Sequence, residues 1–293
     1  MGEKKILVAG TGERSRLDVF LAEELGFSRS RVKKLIEAGQ VNVNETVKNC
    51  NYRVIEGDSI LVDLPDKQKS TLEAQDIQFE ILHTADSYAV INKPPGIVVH
   101  PAPGNKSGTL LNGLLGRFPD PHLVHRLDKD TSGVMVIALD EKSALDLRRQ
   151  FKSREVKKVY SALVEGVIPE EAGEICVPIK RSVKDPTRMS VGWTDARKSI
   201  TRFRVKEKLN NATLVEIYLL TGRTHQIRVH FSYYGYPVVG DKKYGQGTIP
   251  APRQMLHACQ ISFRDPASGE RVYHEAPVPQ DFTCIKTGLG CKL

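Results

Sequence analysis

Apolar residues recur along this chain with two different periods, and the change from one to the other marks its organisation. Between Arg16 and Leu25 they fall at Leu17, Phe20, Leu21 and Leu25, the spacing of a helix with one buried face. Ser28 is placed to cap a second helix, which runs through Val32, Leu35 and Ile36 and stops at Gly39. On it Arg29, Lys33 and Lys34 share a largely polar arc, and Arg31 and Lys34 lie three apart. Val41 and Val43 then alternate with polar residues as a half-buried strand does, and a Gly57-Asp58 turn leads into a second strand at 59–62. Residues 65–76 are polar and nearly without apolar anchors, which predicts a linker.

From Ile77 the texture changes to strands with few helices. Residues 88–92 form a strand ended by Pro94-Pro95-Gly96, and 134–139 is a continuous apolar run that predicts a buried strand. Asp140 can cap a helix through Phe151; 160–164 and 212–219 are further strands, the latter with one wetter face. Strands and helices do not alternate as βαβ units, so the fold class is α+β. The expected division is a small module over 1–66, a linker over 67–76 and a larger domain over 77–293.

Charge sharpens this division. The 293 residues carry 43 Lys and Arg against 35 Asp and Glu, a net +8. Residues 1–66 hold 10 basic and 11 acidic side chains, so the remainder carries the whole excess, 33 against 24. A dense basic run lies at Arg148, Arg149, Lys152, Arg154, Lys157 and Lys158. Such a balance suits a polyanion partner, although a solvated basic face would look the same. Five cysteines without metal-ligand spacing read as reduced thiols of a cytoplasmic protein, and no metal is expected. No stretch of about 18 apolar residues predicts a membrane span, and the N-terminal apolar run is too short for a signal peptide.

Several chemistries lack their anchors. There is no phosphate loop, dinucleotide fingerprint, Cys-x-x-Cys, His-Glu-x-x-His or Gly-x-Ser-x-Gly. Ala89–Lys93 followed by His125-Arg126-Leu127-Asp128 faintly suggests a protein kinase, but a Gly-rich loop before the lysine and an Asp-Phe-Gly after the Asp are both missing.

Polar side chains concentrate in His125-Arg126-Leu127-Asp128-Lys129-Asp130-Thr131-Ser132-Gly133, directly before the buried strand. If 126–128 is extended, Arg126 and Asp128 point to one side and Leu127 to the other. Spacing alone leaves this segment open as a capped turn or as a site. A second cluster, Gly222-Arg223-Thr224-His225-Gln226-Ile227-Arg228-Val229-His230, follows the strand at 212–219. A third, 235–245, is rich in turns and contains Gly240-Asp241 and Tyr244-Gly245.

The first cluster resembles the His-Arg-Leu-Asp-x-x-Thr-Ser-Gly signature of the large pseudouridine synthase family that modifies ribosomal and some transfer RNAs. The segment 158–166 is similar to its second motif and 222–230 to its third; 235–245 and 253–258 also fit, in order, over about 77–283. Residues 15–64 are similar to the small RNA-binding module first named from ribosomal small-subunit protein four. The pair most resembles the branch acting on large-subunit ribosomal RNA, with a transfer RNA synthase and a non-catalytic RNA-binding protein as alternatives. The module's net charge of −1 departs from what an RNA-binding surface leads one to expect.

The resemblance implies a mixed, mainly antiparallel central sheet with flanking helices, and an isomerase that needs no cofactor because the reaction has no redox step. It implies Asp128 as the catalytic carboxylate, acting as nucleophile or as base toward a sugar proton. Arg228 would stand beside it, Tyr160 would lie against the target base, Ile227 would form an apolar floor, and Arg126 would occupy the vacated base position, support the distorted RNA or support Asp128. Arg223 is a candidate phosphate contact, and Arg16, Ser28, Arg29, Arg31, Lys33 and Lys34 are the candidates on the small module. The partner is RNA, free or in an assembling particle; no membrane is expected, and the default is a monomer.

Overall fold

The computed structural model describes residues 3–10, 14–64, 72–102 and 104–290. They form two compact units, Met1–Glu73 with Glu141–Leu145, and Ala74–Asp140 with Asp146–Leu293. Most of the expected linker, 65–71, lies outside the described residues. Its end is anchored to the larger unit: the Gln75 N–H donates to the Asn112 carbonyl, and the Gln75 side chain accepts from the Gly108 N–H.

The small unit contains β1 (Glu3–Val8), α1 (Leu17–Leu25), α2 (Arg29–Glu37), β2 (Val41–Val43), β3 (Thr46–Val47) and β4 (Ser59–Leu64). Its sheet is ordered β1-β4-β2-β3, all antiparallel. The helical period of the sequence becomes its core: Leu17, Phe20 and Leu21 from α1 and Val32, Leu35 and Ile36 from α2 pack on Val41, Val43, Ile60 and Val62. Gly26 ends α1 in the left-handed conformation, φ 66°. Ser28 caps α2 by accepting the Arg31 N–H.

The larger unit continues with β5 (Glu80–Thr84), β6 (Tyr88–Lys93), α3 (Leu110–Leu115), β7 (His122–Leu123), β8 (Ser132–Ala138), α4 (Glu141–Ser153), whose residues 141–145 group with the small unit, and β9 (Lys157–Glu165). There follow β10 (Ala172–Cys176), β11 (Ile179–Arg181), β12 (Met189–Val191), β13 (Ile200–Leu209), β14 (Ala212–Leu219), α5 (Gln226–Tyr233), β15 (Leu256–Arg264), β16 (Arg271–Glu275) and α6 (Gln280–Gly290). The central sheet runs β10-β13-β14-β9-β15-β8-β6-β5, with β16 on β15 and β7 on β8. Its pairings are antiparallel except β15 with β8. This is the expected α+β architecture. β8 is buried along its whole length, as its unbroken apolar run requires.

The parallel contact explains the last residue of the first cluster. Gly133 pairs with Ala258 at φ 119°, and a Cβ there would come within 2.2 Å of the Ala258 carbonyl oxygen. Only glycine allows the two backbones to approach so closely.

Among the described residues no helix is long and apolar enough to cross a membrane, no group of three or more potential metal ligands forms, and Cys50, Cys176, Cys259 and Cys284 are free thiols.

Candidate active site

The first cluster is a short irregular loop entering β8, and buried groups from distant parts of the chain hold it. The fully buried Lys93 ammonium donates to the carbonyls of Pro94 (2.7 Å) and Lys129 (2.9 Å). Arg253, itself held by Asp281 through two hydrogen bonds, donates to the Asp130 carbonyl. Gln254 donates to the Thr131 hydroxyl, and Ser132 is 3.0 Å from a ring nitrogen of the buried His257. Leu127 is buried while Arg126 is exposed and Asp128 is only partly covered, the alternation expected of an extended segment. Burial lowers the Lys93 pKa to about 7, against the opposing pull of Asp130 and Asp128.

The second cluster folds in a way its sequence does not advertise. Residues 226–233, for which the sequence predicts no element, form the helix α5. His225 precedes it in the left-handed region, φ 55°, a strained conformation that the surroundings must hold in place. Gln226 supplies that hold. Its amide oxygen accepts from the Thr221 hydroxyl and the Arg223 N–H, and its amide nitrogen donates to the Ile200 carbonyl and the Thr201 hydroxyl. The buried amide is thereby satisfied at both ends and ties the first turn of α5 to the start of β13.

Arg228 is consequently fixed beneath Asp128. Its Nε and Nη2 donate to the two oxygens of Asp241 (2.6 and 2.8 Å), and its Nη1 donates to Asp128 Oδ2 (3.0 Å). Burial opposes the Arg228 charge, but the hydrogen bonds and charges of Asp241 and Asp128 outweigh it and hold the guanidinium above its ordinary range. Burial would likewise raise the Asp241 carboxyl, yet Arg228 and the N–H groups of Lys243 and Tyr244 keep it low. Asp241 sits where it does because the chain turns at Gly240, φ 73°, whose missing Cβ leaves room for the Arg253 carbonyl oxygen. His225 adds a ring nitrogen 3.9 Å from Asp128 and a 2.7 Å contact to the Tyr244 hydroxyl. Burial pulls the His225 pKa down against the Asp128 charge, so this histidine is neutral near pH 7.

These elements enclose a cavity of about 460 Å³, a volume suited to a small organic ligand. Asp128, Arg228 and Ile227 lie in its wall together with Tyr160 from β9, Arg126 and Arg223. Tyr160 is buried and its hydroxyl has no hydrogen bond among the described residues; burial and the Asp128 charge push its pKa up, so it is a neutral ring at any physiological pH. Asp128 is the one carboxylate in the lining, against Arg126, Lys152, Arg154, Lys158, Arg223 and Arg228. His125 does not add to this charge: burial, helped by Lys158, lowers its pKa to about 3, and it accepts the Val136 N–H and stacks on Phe151.

The candidates on the small module are mostly engaged within it. Arg16 and Arg29 both donate to the buried Asp18, and Ser28 is occupied as the α2 cap. Arg31 lies 3.7 Å from the centre of the Phe27 ring, and Lys33 pairs with Glu37. Lys34 is exposed and has no partner among the described residues. Asp241, Tyr244, Gln226 and Lys93 stand in segments noted in the sequence, but no pattern there assigns any of them a role in the site. The Gly-Asp turn of the third cluster was the one available signal, since a glycine at a forced turn next to a carboxylate marks a fixed charge.

Comparisons with known proteins agree with this geometry. Residues 87–233 match the family model described as RNA pseudouridylate synthase, and residues 15–60 match the S4 domain. An RNA pseudouridine synthase of Bacillus subtilis is 39% identical, with 96% of each chain covered. The ribosomal large subunit pseudouridine synthase D of Neisseria meningitidis is 38% identical over 91% of this chain and 76% of its own. The solved structure of human RNA pseudouridylate synthase domain containing 1 aligns with a TM-score of 0.59 and 32% identity, over 70% of this chain and 85% of that one. An ordered carboxylate above a buried arginine, in a cationic cavity built from the three motif segments, together with this similarity over nearly the whole chain, shows that the protein belongs to the RNA pseudouridine synthases.

Proposed function

We infer that the protein isomerises uridines of large-subunit ribosomal RNA to pseudouridine, with Asp128 as the catalytic carboxylate and without a cofactor. The bond from the ribose to ring nitrogen 1 breaks, the base turns, and ring carbon 5 takes its place. The ring-5 hydrogen leaves as a proton and nitrogen 1 gains one, so electrons balance within the substrate.

The observation that carries this reading is the setting of Asp128. It projects into the cavity from a loop clamped by Lys93 and Arg253, with one oxygen held by Arg228. Its other oxygen, Oδ1, makes none of these contacts and is available to the ribose, whether for attack on carbon or for removal of a sugar proton. The Tyr160 ring offers a flat face for an extruded uracil, which stacking holds without requiring hydrogen bonds at every edge. Ile227 gives an apolar surface beneath it. Arg223, at the opening, suits the backbone of the distorted RNA, and Arg126, on the loop that carries Asp128, suits the space that the extruded base leaves. In the small module, Lys34 and the outward faces of Arg29, Arg31 and Lys33 suit a weaker contact. The similarity to synthases named for the large ribosomal subunit supports the choice of substrate.

The test is tritium release from ring-5-labelled uridine in a large-subunit ribosomal RNA transcript, wild type beside Asp128→Asn. The expected outcome is release by wild type and a loss of about a thousandfold or more in the folded, RNA-binding variant, the scale of removing a catalytic group that acts in the transition state. Substantial turnover by Asp128→Asn would remove the assignment of Asp128.

A further inference from the structure

The ribbon between β10 and β13 takes no part in the chemistry above. Residues 179–198 carry six basic side chains, Lys180, Arg181, Lys184, Arg188, Arg197 and Lys198, against Asp185 and Asp195. The single tryptophan of the chain, Trp193, stands here and is 75% exposed. One exposed apolar side chain needs no explanation by itself. An indole on a strongly basic ribbon attached to both sides of a nucleobase cavity is a different case.

The ribbon's inner face accounts for its position. Ile179 of β11, with Met189 and Val191 of β12, packs on Val229 of α5 and on Tyr244. The Lys180 stem lies across Gly192, where a Cβ would come within 2.5 Å of Lys180 Cε, and the ammonium donates to the Thr194 carbonyl. A cation is therefore held close along the chain to the outward-facing Trp193. Among the described residues the heads of Lys184, Arg197 and Lys198 make no hydrogen bond or ion pair.

Two attachments connect the ribbon to the cavity. Arg223, part of the cavity lining, donates to the Lys198 carbonyl (3.3 Å), and Arg197 and Arg154 add to the positive field around it. On the other side the Met189 N–H donates to the Tyr244 hydroxyl (2.8 Å), and Arg188 donates to the Lys243 carbonyl with its guanidinium over the Tyr244 ring. Tyr244 touches His225 and lies under Arg228.

We propose that the ribbon 179–198 is an additional RNA-binding surface, on which Trp193 stacks against an unpaired base outside the target uridine while Lys184, Arg197 and Lys198 meet the phosphates beside it. An acidic protein would satisfy the charges equally. An aromatic face interleaved with cations matches the alternation of base and phosphate in single-stranded RNA better. The proposal rests on the family's action on RNA, and does not depend on which RNA is the substrate.

Because Trp193 is the only tryptophan, the protein's tryptophan emission reports this surface alone. The full chain is titrated with a large-subunit ribosomal RNA transcript while emission, filter retention and tritium release are followed in parallel. Emission should fall with the midpoint of retention. Trp193→Ala should weaken retention roughly tenfold or more, the effect of losing one stacked base, and Trp193→Phe should keep most of it. The single-turnover rate with all RNA bound should stay within about twofold, because stacking here is remote from the chemistry. Flat emission at saturated retention, or an unchanged affinity of Trp193→Ala, overturns the proposal and leaves the ribbon to a protein partner. Tritium release with flat emission sinks the ribbon alone. Quenching that tracks retention without release supports the ribbon while the ribosomal substrate falls.

Discussion

At the floor of the cavity the charges are matched, whereas at its rim they are not. Arg228 is shared between Asp241 and Asp128, and Asp241 has a side chain with no accessible surface. At the rim, the exposed side chains of Arg126, Lys152 and Arg154 have neither hydrogen bond nor ion pair among the described residues. A buried charge must be paired within the protein or it destabilises the fold. An exposed cation can wait for the phosphate of a substrate. The floor is therefore built to fix one geometry, and the rim to accept a polyanion of variable shape.

The floor should break hardest. Arg228→Met leaves Asp241 buried beside only its backbone donors, which should cost about 3–5 kcal/mol of stability along with turnover. The double variant Arg228→Met, Asp241→Leu replaces the pair by apolar groups and should regain most of that stability while remaining inactive. Thermal unfolding and single-turnover tritium release check both. A melting curve of Arg228→Met equal to wild type would mean that the pair has no structural weight, and the contrast with the rim would lose its basis.

Lys93 sharpens the comparison, because it is a fully buried cation behind the Asp128 loop that carbonyls hold, with no ion pair among the described residues. Its folded pKa of about 7 lies below the unfolded value of 10.5. Between these values the unfolded chain binds more protons, so this group's contribution to stability rises with pH through that window, by at most about 1.4 kcal/mol per unit. Below pH 7 the cost of burying the charge is felt in full. Lys93→Met should therefore flatten the change in unfolding free energy between pH 7 and 9 relative to wild type. Parallel pH profiles in denaturant titrations would show that Lys93 does not titrate there.

Much of this was legible in the sequence where one pattern sufficed. The unbroken apolar run of β8, the alternation of β14 and the two helical faces of the small module are each set by local burial, so periodicity exposes them. The helix α5 was hidden for a physical reason. Residues 226–231 are buried all round, so the helix has no polar face, and Ile227, Val229 and Phe231 alternate with polar residues as a strand's would. Motif resemblance brought Asp128, Tyr160, Ile227, Arg228, Arg126 and Arg223 to one cavity, but it paired Arg228 with Asp128 alone and gave no role to its second partner, Asp241. That partner lies 13 residues away, and the clamp from Lys93 to the Asp128 loop spans 36. Such pairings depend on how the sheet closes, which no local pattern encodes. On the small module the opposite occurred: Arg16 and Arg29 are candidate RNA contacts by sequence, yet Asp18 engages both.

The smallest effect on the protein itself belongs to the rim. Arg126 is exposed and makes no hydrogen bond among the described residues, whose packing therefore does not depend on its guanidinium. Arg126→Ala should leave the unfolding free energy within about 0.5 kcal/mol of wild type. Its consequences should appear only with RNA, and two roles separate there. A phosphate contact predicts weaker binding and a salt dependence shallower by about 0.7 in the slope of log K against log salt for an unpaired strand. Occupation of the space left by the extruded base predicts an unchanged slope and a slower single turnover, since the cost of unstacking is then uncompensated. The second outcome is expected. Arg126 adjoins Leu127 and Asp128 on the one loop that Lys93 and Arg253 hold rigid, and a side chain meant to enter a helix needs that fixed base more than a side chain that meets a phosphate at the surface.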